Sequence, residues 1–225
     1  MSWWEFWKPK HERLEFIRDF LTANEQTIPG IRSIDRLNFT VLDTETTGLD
    51  PSRDSILSFG AVKVSELKIQ ISTAVEWYPL SENTGDKTAQ IHGLVDIPDQ
   101  ISKEEFVRKL LAYLGNSILV GHHLGFDLEM INRQLSDFGL DQLPNAGVDT
   151  LSLAIRLEHG PQADQNRIKM GTYSLDALCE RYGIDTDDRH TAAGDAFLTA
   201  QLFLKLLKVA ERKGIINYRD LIKNW

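Results

Sequence analysis

Val41-Leu42-Asp43-Thr44-Glu45-Thr46-Thr47-Gly48-Leu49 is the stretch on which the reading of this chain turns. An apolar run leads into two acids one residue apart, and a Thr-Thr-Gly turn follows. In a β-strand, side chains at i and i+2 point to the same face. A strand over Leu37–Asp43 therefore aims Asp43 and Glu45, at or just past its end, at one point. Hard carboxylate oxygens paired in this way suit Mg²⁺ or Mn²⁺, with water and a phosphate completing the shell. Taken alone, the stretch would also describe a strand end and a turn, with Asp50-Pro51 as further punctuation.

Two further stretches shift that balance. Gly121-His122-His123-Leu124-Gly125-Phe126-Asp127 adds a third acid, and His190-Thr191-Ala192-Ala193-Gly194-Asp195 adds a fourth together with a histidine. Singly, each has a plain explanation. Asp127 suits the first turn of a helix, where the helix dipole favours an acid. His190 sits in the charged run Asp187-Asp188-Arg189-His190, and Asp195 lies on a helix with an apolar face. Four carboxylates gathered without a cation would repel and raise one another's pKa, which makes them a poor stability device. Around two divalent ions roughly 3.5–4 Å apart, they would stabilise the attacking and leaving oxygens of a phosphodiester displacement. An imidazole titrating near pH 6.5, about neutral, is suited to take a proton from water.

The rest of the chain reads in α/β order. Strand character marks Leu37–Asp43, Ser55–Val64, Lys68–Tyr78, Ser117–Gly121 and a short run at Gly147–Asp149. The first three are separated by turn-like segments and predict an antiparallel meander. Helical periodicity marks Lys103–Leu114, Leu124–Phe138, Thr150–Glu158, Ser174–Tyr182 and Thr191–Lys213, with Ser174 as an N-cap and Gly183 as a stop. On the last of these, Ala192, Asp195, Ala196 and Thr199 share one face, which turns Asp195 toward the sheet.

At this level of detail the chain resembles the DnaQ-like (DEDD) exonuclease superfamily, in particular the proofreading epsilon subunit of bacterial DNA polymerase III and the polymerase C exonuclease domain. The three acidic stretches resemble its motifs I, II and III, and His190 with Asp195 matches the histidine version of motif III. Gln90-Ile91-His92-Gly93-Leu94 and Tyr173-Ser174-Leu175-Asp176-Ala177-Leu178-Cys179 also resemble family segments. The likeness runs from about Leu37 to Leu207. It implies a ribonuclease H-like mixed five-stranded sheet, three antiparallel strands and then parallel ones, flanked by helices. It implies that Asp43, Glu45 and Asp195 bind the tighter of two divalent cations, with Asp43 bridging to the second. Asp127 would hold that second ion, directly or through water, and His190 would be the general base. Thr46, His92, Leu94, His123 and Phe126 would line the 3′ end of the substrate. The family often has Asn where His123 stands, which puts that one contact in question.

The implied activity is 3′→5′ hydrolysis of single-stranded DNA to nucleoside 5′-monophosphates. An RNA-trimming exoribonuclease or oligoribonuclease is the alternative on the same scaffold, and a non-catalytic nucleic-acid or partner-binding module is a third. The Thr-Thr-Gly-Leu that follows the two acids leans toward the DNA-proofreading branch. All five candidate catalytic residues are present, which weighs against a non-catalytic module.

Composition agrees with this reading. The chain has 225 residues, of which 42% are hydrophobic and 26% charged, ordinary globular usage for one sizeable domain. The net charge of −8 opposes coating of duplex DNA, where Lys and Arg must neutralise phosphates. It fits short single-stranded ends whose scissile phosphate is met by cations. Arg156, Arg167 and Lys169 form a local basic group that either contacts nucleic acid or borders a solvated loop. The single cysteine, Cys179, excludes a disulfide within the chain and reads as core. Without a secretory signal or a run of roughly 20 apolar residues, a cytoplasmic protein with no membrane span is expected.

We divide the chain into an N-terminal aromatic arm and helix (1–36), an exonuclease domain (37–213) and a short C-terminal tail (214–225). The arm opens Trp3-Trp4-Glu5-Phe6-Trp7. It could anchor to a membrane interface or a protein partner, although packing of the arm and a helix over Lys10–Ala23 against the core is the plainer expectation. The chain stops soon after its last predicted helix, without the long tail of polymerase-tethered epsilon subunits, so a free-standing exonuclease is expected.

Overall fold

The computed structural model describes residues 14–80, 99–161, 168–187 and 189–223. Five strands form one sheet in the order β3-β2-β1-β4-β5. These are β1 (Asn38–Thr46), β2 (Ile56–Ser65), β3 (Lys68–Trp77), β4 (Ile118–Gly121) and β5 (Gly147–Asp149). The first three pair antiparallel, while β4 and β5 join parallel to β1 and to each other. The sheet is therefore mixed, as the sequence predicts. Strand β1 runs three residues further than Asp43, so both of its acids lie inside the ladder.

Helices cover both faces: α1 (Glu15–Asn24), α2 (Lys103–Leu114), α3 (Leu124–Ser136), α4 (Thr150–His159), α5 (Leu175–Tyr182), α6 (Ala192–Arg212) and the short α7 (Tyr218–Leu221). The two-residue alternation of β1 divides them. Phe39 and Val41 face α4, α5 and α6 in one core layer, where Phe203 meets Phe39 edge-on at 4.9 Å between ring centroids. Leu42, with Phe59 and Ala61 of β2, faces α1, α2 and α3 in the other. Cys179 is buried in the first layer.

Side-chain caps set the helix starts. Ser102, Ser174 and Thr191 each accept a backbone N–H from the first turn of α2, α5 and α6. Asp149 serves two helices at once: one carboxylate oxygen accepts Ser152 N–H in α4 and the other accepts Leu124 N–H in α3. Gly183 ends α5 in the left-handed conformation, the stop expected there. The segment 214–222 packs back onto the chain. Asn217 bridges to Ser33, and Leu221 is buried in the first core layer.

Candidate active site

The chemistry-bearing residues meet at the carboxyl ends of the parallel pair β1 and β4, the edge where open α/β sheets present their ligand crevice. Asp43 and Glu45 continue the Phe39–Val41 row and so face α6. A register shift between Glu45 and Thr46 bends the strand end at this point. Asp195, in the first turn of α6, completes the group. One carboxylate oxygen from each of Asp43, Glu45 and Asp195 lies within 4.8 Å of the others.

Gly60 makes that approach possible. It lies opposite Asp43 on β2 and opposite Glu76 on β3. A Cβ at Gly60 would fall 2.1 Å from the carbonyl carbon of Ala192 and 2.2 Å from the nitrogen of Ala193. The backbone of α6 thus rests directly on bare β2 backbone. Glu76 borders the gap, with its carboxylate 3.5 Å from the Ala193 N–H.

Asp127 arrives from the other side of the sheet, on the first turn of α3. It is 4% exposed, and its Oδ1 accepts the Thr44 backbone N–H at 2.9 Å and the Thr44 hydroxyl at 2.7 Å. Thr44 stands between the two acids of β1 but faces the opposite way, toward α3. Burial pushes the Asp127 carboxyl up to about 7, against the pull of both Thr44 hydrogen bonds. Asp43 is also held well above the usual carboxylate range, first by burial and then by the charges of Asp127, Asp195 and Glu45.

His190 is exposed beside this cluster with a left-handed backbone (φ 70°), and its backbone N–H reaches Asp195 Oδ1 at 3.4 Å. The preceding Arg189 grips Asp176 of α5 and Asp195 of α6 together. Nearby, burial lowers the buried-side His122 to about 4, reinforced by the adjacent His123, so its ring is neutral at physiological pH. His122 Nδ1 lies 2.9 Å from the Thr150 hydroxyl.

The substrate candidates are placed less uniformly. Thr46 is buried, and its hydroxyl donates to the Gly48 carbonyl at 2.7 Å, so it braces the turn that follows motif I. That turn is tied down from two sides. Asp54 accepts the Thr47 hydroxyl and the Asp50 N–H, while Arg133 of α3 donates to the carbonyls of Pro51 and Asp54. Leu49 at its tip is 87% exposed. His123 is exposed at the start of α3, and Phe126 is half-buried against the second core layer. His92 and Leu94 lie outside the described residues, as do Arg167 and the Trp-rich arm. Arg156 departs from its expected surface role. It is buried, and its guanidinium donates to the carbonyls of Asp220, Leu221 and Lys223, closing the C-terminal end of α7. An Arg has a long apolar stem and five donors, enough to serve as an interior cap.

Thr44, Gly60, Glu76 and Arg189 escape the motif-by-motif reading. Strand alternation would have sent Thr44 to the face opposite its neighbours, and a glycine inside a strand signals close backbone approach. No comparable sequence signal marks Arg189.

Three hard oxygen donors this close, with a central carboxyl strained by its neighbours' charge, form a set that fits a divalent cation. This mixed sheet, with such a cluster at its carboxyl edge, is of the ribonuclease H-like class. The exonuclease family RNase T matches residues 40–203, and the chain belongs to this family. A DNA polymerase III of PolC type from Thermotoga petrophila is 33% identical over 195 residues, covering 84% of this chain and 13% of that protein. The chain thus spans about an eighth of the PolC-type relatives it matches. The DNA polymerase III subunit epsilon of Aquifex aeolicus is 29% identical over 191 residues, 81% of this chain and 87% of that one. Among solved structures, E. coli exonuclease I in complex with a dT13 oligonucleotide superimposes with a TM-score of 0.63 at 17% identity, covering 80% of this chain and 43% of that chain. The fold is shared with it.

Proposed function

We propose that this protein removes nucleotides from the 3′ end of single-stranded DNA, releasing nucleoside 5′-monophosphates. The observation that carries the reading is the convergence of Asp43, Glu45 and Asp195 within 4.8 Å, with buried Asp127 beside them. Two Mg²⁺ or Mn²⁺ ions held by these four residues would neutralise the scissile phosphate and make water easier to deprotonate. The chain's own groups do the rest. Asp43, whose carboxyl feels the charges of both Asp127 and Asp195, is the residue that would help hold both ions. His190, exposed beside the cluster, accepts the proton of the attacking water as the water oxygen closes on phosphorus. The bond from phosphorus to the 3′ oxygen of the preceding nucleotide breaks. The terminal nucleotide leaves with its 5′-phosphate, and the departing 3′ oxygen takes a proton from solvent water to become the strand's new 3′-hydroxyl. His123, Phe126, Thr46, His92 and Leu94 are the proposed contacts of the terminal nucleotide.

DNA as substrate is supported by relatives that are DNA polymerase III components and by a fold neighbour solved with a DNA oligonucleotide. The test is degradation of a 5′-labelled single-stranded DNA beside an RNA of the same sequence, with Mg²⁺, with Mn²⁺ and with chelator. A metal-dependent ladder shortening from the 3′ end of DNA is expected, absent in Asp43→Ala. His190→Ala should lose about 10²–10⁴-fold in kcat, the usual contribution of a positioned base. Faster shortening of the RNA would reassign the substrate. No ladder in either metal would remove the nuclease reading.

A further inference from the structure

Arg189 carries more than a loop residue needs to. Its guanidinium reaches carboxylates on two helices. Nε donates to Asp176 Oδ1 at 2.6 Å and Nη2 to Asp176 Oδ2 at 3.3 Å, a fork on α5, while Nη1 pairs with Oδ2 of Asp195 on α6. The side chain of Arg189 is 18% exposed, that of Asp195 10% and that of Asp176 62%. The contact with Asp195 is therefore the sheltered one, and it engages a carboxylate of the cation-binding cluster.

We propose that Arg189 is a positioning residue that serves as the internal counter-cation of Asp195. It holds this carboxylate while no divalent cation is bound and yields its Nη1 contact when one binds. By competing for the same carboxylate, it sets how tightly the cluster takes up metal. The proposal rests on the metal reading given above and assigns a determinant of that site outside the four acids and the histidine.

The chemistry of the group makes the exchange inexpensive. A guanidinium is planar and permanently charged, so it can hold one carboxylate with a fork and another with its remaining edge. When Asp195 turns to a cation, the two contacts to Asp176 remain and only one is lost. Until then the positive charge tempers the repulsion inside the cluster, and among the described groups that shift Asp43, Arg189 acts in that direction. A bound divalent cation, in turn, feels Arg189 as a like charge held close to one of its ligands.

The experiment is calorimetric titration of the full chain with MnCl₂, without nucleic acid, for wild type, Arg189→Gln and Arg189→Lys. A unit charge at 4–6 Å moves a neighbouring equilibrium by about tenfold or more. Arg189→Gln is expected to bind Mn²⁺ about that much more tightly than wild type. Arg189→Lys keeps the charge without the fork and should fall nearer to wild type. If Arg189 merely braced the loop, its loss would weaken Mn²⁺ binding or leave it unchanged, and either result overturns the proposal. A second readout covers a variant that starts less stable. The rise in melting temperature between chelator and Mn²⁺ should be larger in Arg189→Gln, and equal rises would overturn the idea. Asp43→Ala in each background should erase the heat. Mn²⁺ binding in the expected order, with no cleavage of any oligonucleotide, would remove the nuclease assignment and leave Arg189's role standing. No Mn²⁺ binding by wild type would overturn both.

Discussion

Thr44 shows how much a single side chain decides at this site. Its hydroxyl and backbone N–H both donate to Asp127 Oδ1, and these bonds oppose the burial that lifts Asp127 to about 7. Thr44→Val keeps the shape and removes one donor, so the Asp127 carboxyl should rise further. We expect kcat at neutral pH to fall about tenfold, the order seen when a ligand loses its supporting hydrogen bond. The acidic limb of the pH profile of Mn²⁺ affinity should move to higher pH, with part of the loss recovered there. A profile that keeps its wild-type limb would mean that Thr44 does not tune Asp127. Asp43 offers the converse case. Burial first, and then its neighbours' charge, works against its ionised form, so Asp43→Asn should abolish turnover while stabilising the metal-free protein. Relief by about 1 kcal/mol corresponds to a melting temperature higher by roughly 2–4 °C at this chain length, readable by calorimetry in chelator.

Between elements, the decisive contact is α6 on β2. The N-terminus of α6 reaches Asp43 only because residue 60 has no side chain. Gly60→Ala inserts a methyl group where the Ala192 backbone now lies, and neither neighbour is a flexible side-chain end that could swing aside. The first turn of α6 must lift, taking Asp195 and His190 with it. A displacement of about 1 Å at a catalytic group costs on the order of 10²-fold in rate, and overpacking costs about 1–3 kcal/mol in stability. We expect kcat to drop by that factor with a folded protein in urea melts. A Gly60→Ala enzyme of normal activity would mean that α6 tolerates the shift.

The molecule as a whole should reveal its displaced acids through the pH dependence of stability. Asp127 titrates near 3.8 when exposed and about 7 when folded, and Asp43 is displaced in the same direction. Between these values the native state holds protons that the unfolded chain has released. The native state is therefore favoured at the acidic end of the window, and stability falls as pH rises through it. Metal-free protein should resist urea better at about pH 5 than at about pH 8, and Asp127→Asn should flatten the slope. Mn²⁺ should reverse the trend, because cation binding requires the ionised carboxylates. A metal-free stability that climbs from pH 5 to 8 would show that these carboxyls are ionised without penalty.

Local rules carried the reading a long way. The alternation of a strand is enough to put Asp43 and Glu45 on one side, and the period of a helix is enough to turn Asp195 toward the sheet, because both depend only on backbone geometry repeated over a few residues. The apolar runs and their turn-like breaks likewise imply the three-stranded meander, and Ser174 and Gly183 mark the ends of α5. What depends on two elements meeting is not written in either one. Gly60 matters through Ala192, which is 132 positions away. Thr44 matters through Asp127, and Arg189 through Asp176 and Asp195. Arg156 shows the same limit from the other side. Its charge suggested a surface, yet the carbonyls at the end of α7 satisfy it in the interior. The sequence by itself determined which candidate ligand types are present and the face each takes on its own element. Only the tertiary structure decided which of them share a site, because spacing along the chain carries no measure of distance across it.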